Sequence, residues 1–305
     1  MHPTSASPHD TIHLTSNRLA VEIARPGARY NRTRFDWSGF ITQVTLDGQH
    51  TFCVDENADP AKGSGGIGLC GEFGIDAPIG YADALPGECF LKAGVGLLVR
   101  PADPEYGFHK PYQLAQPFPI TVTAAADTAR FDLGALECRG YGLRLAKTVS
   151  VRENQLTVAY TCQNTGSRLI ETNEYMHNFV RFDQHPLGAE YILRFAQDIA
   201  YEDLPDGEKV REALTAEGRE LTWKYPPIHG FYARLLGAGQ TAAPQWELRH
   251  APSQLRLSET VDFAPVRVAL WGVDHVCSPE IFVQVRLDPG QSQSWQRVYE
   301  FSGAA

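Results

Sequence analysis

The chain has 305 residues, 43% of them apolar and 21% charged, an ordinary globular composition with enough apolar material for a large core. Its formal net charge of −9 argues against the basic footprint by which proteins hold nucleic acid or an anionic membrane surface. No apolar run approaches the ~20 residues that span a bilayer.

Taken in order, residues 1–11 are polar and proline-containing, and are expected to form a frayed tail. The opening MHPTSASPHDTIHL lacks the basic start and apolar stretch of a secretory leader, so a cytoplasmic protein is expected. IHLTSNRLAVEIA predicts a hairpin turning at Ser16 and Asn17, and RFDWSGFITQVTL a further strand closed by the turn pair Asp47-Gly48. Asp55 to Gly87 is a long glycine- and proline-rich excursion whose Ile67, Leu69, Phe73, Ile75 and Tyr81 favour an ordered loop over a site. LRLAKTVSV and QLTVAYTCQ alternate apolar and polar residues, as strands do. QLRLSET, VRVALWGV, IFVQVRL and SWQRVYEF add four more strands near the end. Residues 207–221 alone read as a helix, short and amphipathic. So many strands with so little helix predict an all-β fold of two packed sheets, a single large β-sandwich over residues 1–305. The six cysteines are scattered without a C-x-x-C pair, which predicts reduced and mostly buried thiols rather than a disulfide framework or a zinc site.

The stretch ETNEYMHNFVRF, residues 171–182, concentrates chemistry. Extended, it puts Glu171, Asn173, Tyr175, His177 and Phe179 on one face, because strand side chains alternate. A histidine between aromatics and hydrogen-bonding groups suits the floor of a polar, sugar-sized site. In RYNRTRFDWSGFI an extended strand would set Arg32, Arg34 and Asp36 on one face and Phe35 and Trp37 on the other. Guanidinium forks and aromatic faces both suit a polyol, and a salt-bridged edge strand fits equally well. In CSPEIFVQVRL, Glu280 opens a strand where its carboxylate projects either into a cleft or into solvent. YGFHKPY, with Tyr106, His109, Lys110 and Tyr112, suits a ligand rim or an exposed loop. No G-x-S-x-G elbow, P-loop or dinucleotide fingerprint is present.

RFDWSGFI, GGIGLCGEFGI, GECFLKAGVGLL, EYMHNF and CSPEIFVQVRLDPG, followed by SWQRVYEF, together resemble the galactose mutarotase-like (aldose 1-epimerase-like) superfamily over residues 12–301. The resemblance implies a large antiparallel β-supersandwich with its site on one sheet face. It maps His177 to the catalytic acid and Glu280 to the base, with Arg34 contacting sugar hydroxyls. Asp36, Glu72, His109, Tyr175 and Asn178 complete the expected substrate-binding set, Glu72 standing where the family carries a second histidine in a His-Gly context. The central motif also departs from the family's Asn-His-x-Tyr-Phe-Asn, reading His177-Asn178-Phe179-Val180. The implied activity is interconversion of sugar anomers by acid–base ring opening, without metal or organic cofactor, by a monomer or homodimer. The alternative is a non-catalytic carbohydrate-binding or sensing protein on the same fold.

Overall fold

The computed structural model describes residues 10–59, 62–201, 207–227, 230–236 and 245–303. Most of the expected tail lies outside these residues. Its last two positions are ordered, however: the Arg25 N–H donates to the Asp10 carbonyl at 2.8 Å, and Thr11 opens the first strand.

Strands form where apolar and polar residues alternate, and each turn falls where the backbone can reverse. Ser16 to Arg18 join Thr11–Thr15 to Leu19–Ala24. Asp47 and Gly48, both at positive φ (53° and 69°), reverse the chain after Phe40–Leu46. The strands pair antiparallel throughout, in two ten-stranded sheets and one three-stranded sheet. The first large sheet runs, from one edge, Thr11–Thr15, Leu19–Ala24, Phe40–Leu46, Leu69–Phe73, Ile170–Asn178, Val276–Leu287, Arg267–Val273, Phe231–Leu236 and Ala200–Tyr201, with His50–Thr51 paired beside Phe40–Leu46. The second holds the long hairpin Tyr141–Arg152 and Gln155–Asn164 beside Ser292–Ser302. The two pack face to face, Phe73 of the first meeting Tyr160 and Trp295 of the second at 5.5 and 6.3 Å between ring centroids. The small sheet Cys89–Lys92, Gly96–Val99 and Gln113–Pro117 has its own apolar cluster of Tyr81, Phe90, Leu98 and Tyr112. No described helix is long and apolar enough to cross a membrane.

Three expectations change. Helix covers only Gly207–Ala213 of residues 207–221; Leu214–Glu217 and Glu220–Trp223 form a hairpin turning at Gly218 (φ 57°). LTAEGRELTW carries a period-two alternation, and a positive-φ glycine in its centre ends a helix. RFDWSGFI is no strand before Phe40; residues 25–39 are irregular. Within the glycine-rich excursion, Leu69–Phe73 is a central strand. All five of its residues are buried, so it shows no alternation by which to find it.

Candidate active site

Register brings the site together. On Ile170–Asn178, Tyr175 lies opposite Glu72 on one side and Phe282 on the other, and His177 lies opposite Cys70. Glu280 pairs with Ala269, and Trp271 with Ser278, one strand further on. Alternation then sorts the side chains. Glu174 and Asn178 turn toward the second sheet, where Arg297 and Tyr299 meet them, while Tyr175, His177 and Phe179 turn away from it.

On that outer face His177 Nε2 lies 3.4 Å from Glu280 Oε1. Each residue is only 2% exposed. The imidazole stacks on Phe179 at 3.9 Å and 13°, with Trp271 and Phe35 edge-on at 5.1 and 5.9 Å. Gly66 makes the stack possible: a Cβ there would lie 2.2 Å from the Phe179 ring. Ser278 Oγ donates to Glu280 Oε1 at 3.2 Å, and His177 Nδ1 is buried with no hydrogen-bond partner among the described residues. Burial pushes the Glu280 carboxyl up to about 8, and burial together with the Arg34 charge holds His177 well below the ordinary histidine range. Burial therefore favours the neutral form of both groups, a protonated carboxyl beside an uncharged imidazole. That is the reverse of the charge states implied by an acid His177 and a base Glu280.

A second, strongly paired cluster adjoins the first. Arg34 donates from Nε to Glu72 Oε2 at 2.8 Å, from Nη1 to Ser64 Oγ at 2.8 Å and from Nη2 to Tyr175 Oη at 3.2 Å. Tyr175 Oη also donates to Glu72 Oε2 at 2.6 Å, and Lys92 Nζ stands 3.6 Å from Glu72 Oε1. Arg34 lies between the rings of Phe35 and Phe108, 4.5 Å from each centroid, so the 102–112 loop covers it. Burial brings the Lys92 ammonium down to about 8, with Glu72 opposing.

Arg34, Glu72, Tyr175, His177 and Glu280 thus share one site. The three other expected site residues do not. Asp36 turns into the space between the sheets, where Tyr160 Oη and Ser38 Oγ donate to it and Lys147 Nζ approaches to 3.5 Å. Its separation from Arg34 follows from the irregular backbone of residues 25–39, which keeps no strand alternation. Asn178 faces the second sheet, donating from Nδ2 to the Pro279 carbonyl at 2.6 Å and accepting from Tyr299 Oη at 3.0 Å. His109 is exposed on the rim, edge-on to Phe108, without contact with the pair.

Lys92, Trp271, Arg267 and Phe108 escaped the sequence reading. Lys92 alone carried a signal, as a lysine closing the otherwise apolar strand CFLK. Trp271 and Arg267 lie in VRVALWGV, which reads as an ordinary strand. Arg267 lies 3.8 Å over the Phe282 ring, and both its terminal nitrogens reach Asp76.

A separate groove of about 310 Å³ is lined by Ile79, Gly80, Tyr141, Arg168, Leu169 and Glu171. At ~3.3 Å per residue, six residues of strand put Glu171 ~20 Å from His177. Tyr141 offers no open ring face there: Gly80 packs on it, and Arg168 lies 4.6 Å over it. The groove is distinct from the acid–base pair.

No family model matches the sequence, and no curated protein matches it significantly. Solved structures do. A GalM/aldose epimerase homologue from C. elegans superposes with a TM-score of 0.60 at 13% identity, covering 97% of this chain and 99% of that one. A galactose mutarotase-like protein from Lactobacillus casei gives 0.59 at 14% identity, over 96% and 100%. Galactose 1-epimerase from Lactobacillus acidophilus gives 0.54 at 13%, over 97% and 95%. With two large antiparallel sheets packed face to face along nearly the whole of these chains, the protein has the galactose mutarotase-like fold.

Proposed function

We propose that the protein is an aldose 1-epimerase-like isomerase that interconverts the anomers of a hexose or related small sugar. One observation carries the reading. His177 and Glu280, a hundred residues apart in sequence, meet at 3.4 Å as a buried pairing of an acid with a base.

Anomer exchange needs that inventory. Opening the ring removes the proton of the anomeric hydroxyl and protonates the ring oxygen; reclosure after rotation about C1–C2 runs the same steps backwards. Glu280 gives its proton to the ring oxygen while His177 Nε2 accepts the anomeric proton. The open-chain state then holds a carboxylate and an imidazolium, which attract, and closure returns the proton to Glu280. The resting states favour this direction of loading. Because reclosure uses Glu280 as base and His177 as acid, the roles that the resemblance implies reappear in that half of the cycle. Trp271 and Tyr232, partly exposed on neighbouring strands beside the pair, offer the sugar's apolar face a platform.

The test is anomer exchange across a panel of freshly dissolved aldoses, followed by polarimetry or NMR. The protein accelerates exchange of at least one aldose, and His177→Asn and Glu280→Gln each abolish the acceleration while the fold persists. Full activity in both variants sinks the site assignment. Saturable sugar binding by calorimetry without exchange of any aldose supports the non-catalytic alternative.

A further inference from the structure

Of the six cysteines, Cys53, Cys70, Cys162 and Cys277 are buried. Cys89 and Cys138 differ. Both are half-buried, and they are neighbours: Cys138 Sγ donates to the Cys89 carbonyl at 3.0 Å. Cys89 opens the small-sheet strand Cys89–Lys92, and Cys138 closes Thr128–Cys138 of the second large sheet. Their sequence neighbours, Glu88 before Cys89 and Arg139 after Cys138, are also clipped together, Arg139 Nε lying 3.3 Å from Glu88 Oε2.

This geometry sets the Cys138 sulfur against the backbone of Cys89. Standard bond lengths put a carbonyl oxygen ~2.4 Å from its own Cα. The Cys138 sulfur is therefore at most ~5.4 Å from the Cys89 Cα, and a disulfide, which sets a sulfur ~3–4.5 Å from its partner's Cα, asks for a further approach of about 1 Å at most to enter that range. Bonding the sulfurs asks for side-chain rotation at two strand ends. One end adjoins a turn, Arg139-Gly140, with both residues at positive φ.

We propose that Cys89 and Cys138 are a reversible disulfide site, oxidised by a small-molecule disulfide of the oxidised-glutathione class. One cysteine loses its proton and attacks a sulfur of the small disulfide, releasing one small thiolate and forming a mixed disulfide. The second cysteine loses its proton and attacks the protein sulfur of that intermediate, releasing the other. Two S–H bonds and one S–S bond break, and one S–S bond and two S–H bonds form. The cysteines are oxidised and the small disulfide is reduced. The bond ties the strand that carries Lys92, three residues beyond Cys89, to the opposite large sheet.

The test treats the folded full chain with oxidised glutathione at mildly alkaline pH and counts free thiols. Six fall to four, digestion yields one linked pair containing Cys89 and Cys138, and dithiothreitol restores six. Cys89→Ser and Cys138→Ser, each with unchanged circular dichroism, form no internal link. Three outcomes overturn the proposal: six thiols persisting, a link between other cysteines, or glutathione adducts on single cysteines without an internal bond.

Discussion

Two buried charged clusters sit back to back on the strand Ile170–Asn178, and their difference separates structure from chemistry. Toward the second sheet, Arg297 donates to Glu174 at 2.7 Å and to Glu259 at 2.9 Å, while Trp295 and Trp246 donate to the same two carboxylates. Each carboxylate there touches a cation. On the other face Glu280 touches only Ser278 and His177 among the described residues, and it keeps its proton up to about 8. Compensated charges hold two sheets together. An acid without a cation in contact, beside a buried histidine, is the pair on which the proposed proton exchange rests.

The contrast is broken most severely at Arg297. Arg297→Leu leaves two carboxylates buried without their cation, which costs about 3–5 kcal/mol. Urea unfolding should show that loss, or the variant should fail to accumulate as folded protein. A variant as stable as the parent would mean that the inter-sheet cluster is no clamp.

Glu280→Gln is the converse. Removing a buried ionisable group that no cation contacts leaves stability unchanged or improved. Removing half of an acid–base pair lowers exchange by ~10²- to 10⁴-fold. A large loss of stability with little loss of rate would place Glu280 with the structural cluster instead.

The pH dependence of stability is a finer probe. An acid whose folded pKa is raised binds more protons folded than unfolded between the two values, so its contribution falls as pH rises through that window. For Glu280 the window runs from the ordinary 4.5 to about 8. His177, held low when folded, acts oppositely and only below its ordinary 6.5. Between 6.5 and 8 Glu280 acts alone of the two, with a slope of up to ~1.4 kcal/mol per pH unit. Denaturant titrations of parent and Glu280→Gln should diverge there, the parent losing stability relative to the variant. Parallel curves would show that Glu280 is ionised in the folded protein.

The fold was legible because alternation and turn residues are local. The long strands of the second sheet and Val276–Leu287 announce themselves in sequence, as do the turns at Asn17 and Asp47-Gly48. Leu69–Phe73 stayed hidden because burial on both faces erases the alternation. The site was legible only in part. His177, Tyr175, Glu72, Arg34 and Glu280 each stood in a marked stretch, but which face of a strand meets the second sheet is a tertiary fact. Asn178 therefore stood beside His177 in sequence and across the sheet from it in space. Asp36 was misplaced because residues 25–39 follow no period at all. Lys92 reaches Glu72 from a third sheet, a contact that no local pattern encodes.

The smallest predicted effect tests that face assignment directly. Tyr299→Phe removes the donor to Asn178 Oδ1 and leaves a buried acceptor unmet, which costs about 1–2 kcal/mol. Two contacts remain that tie the strands carrying His177 and Glu280 together beside the pair: the Asn178 N–H to Ser278 Oγ at 2.9 Å, and Asn178 Nδ2 to the Pro279 carbonyl. With those intact the separation of His177 from Glu280 does not change, so exchange should stay within about twofold of the parent while unfolding shifts to lower urea. A rate that drops with stability would mean that the two faces are coupled through Asn178, and that the strand does not insulate its chemistry from its scaffold.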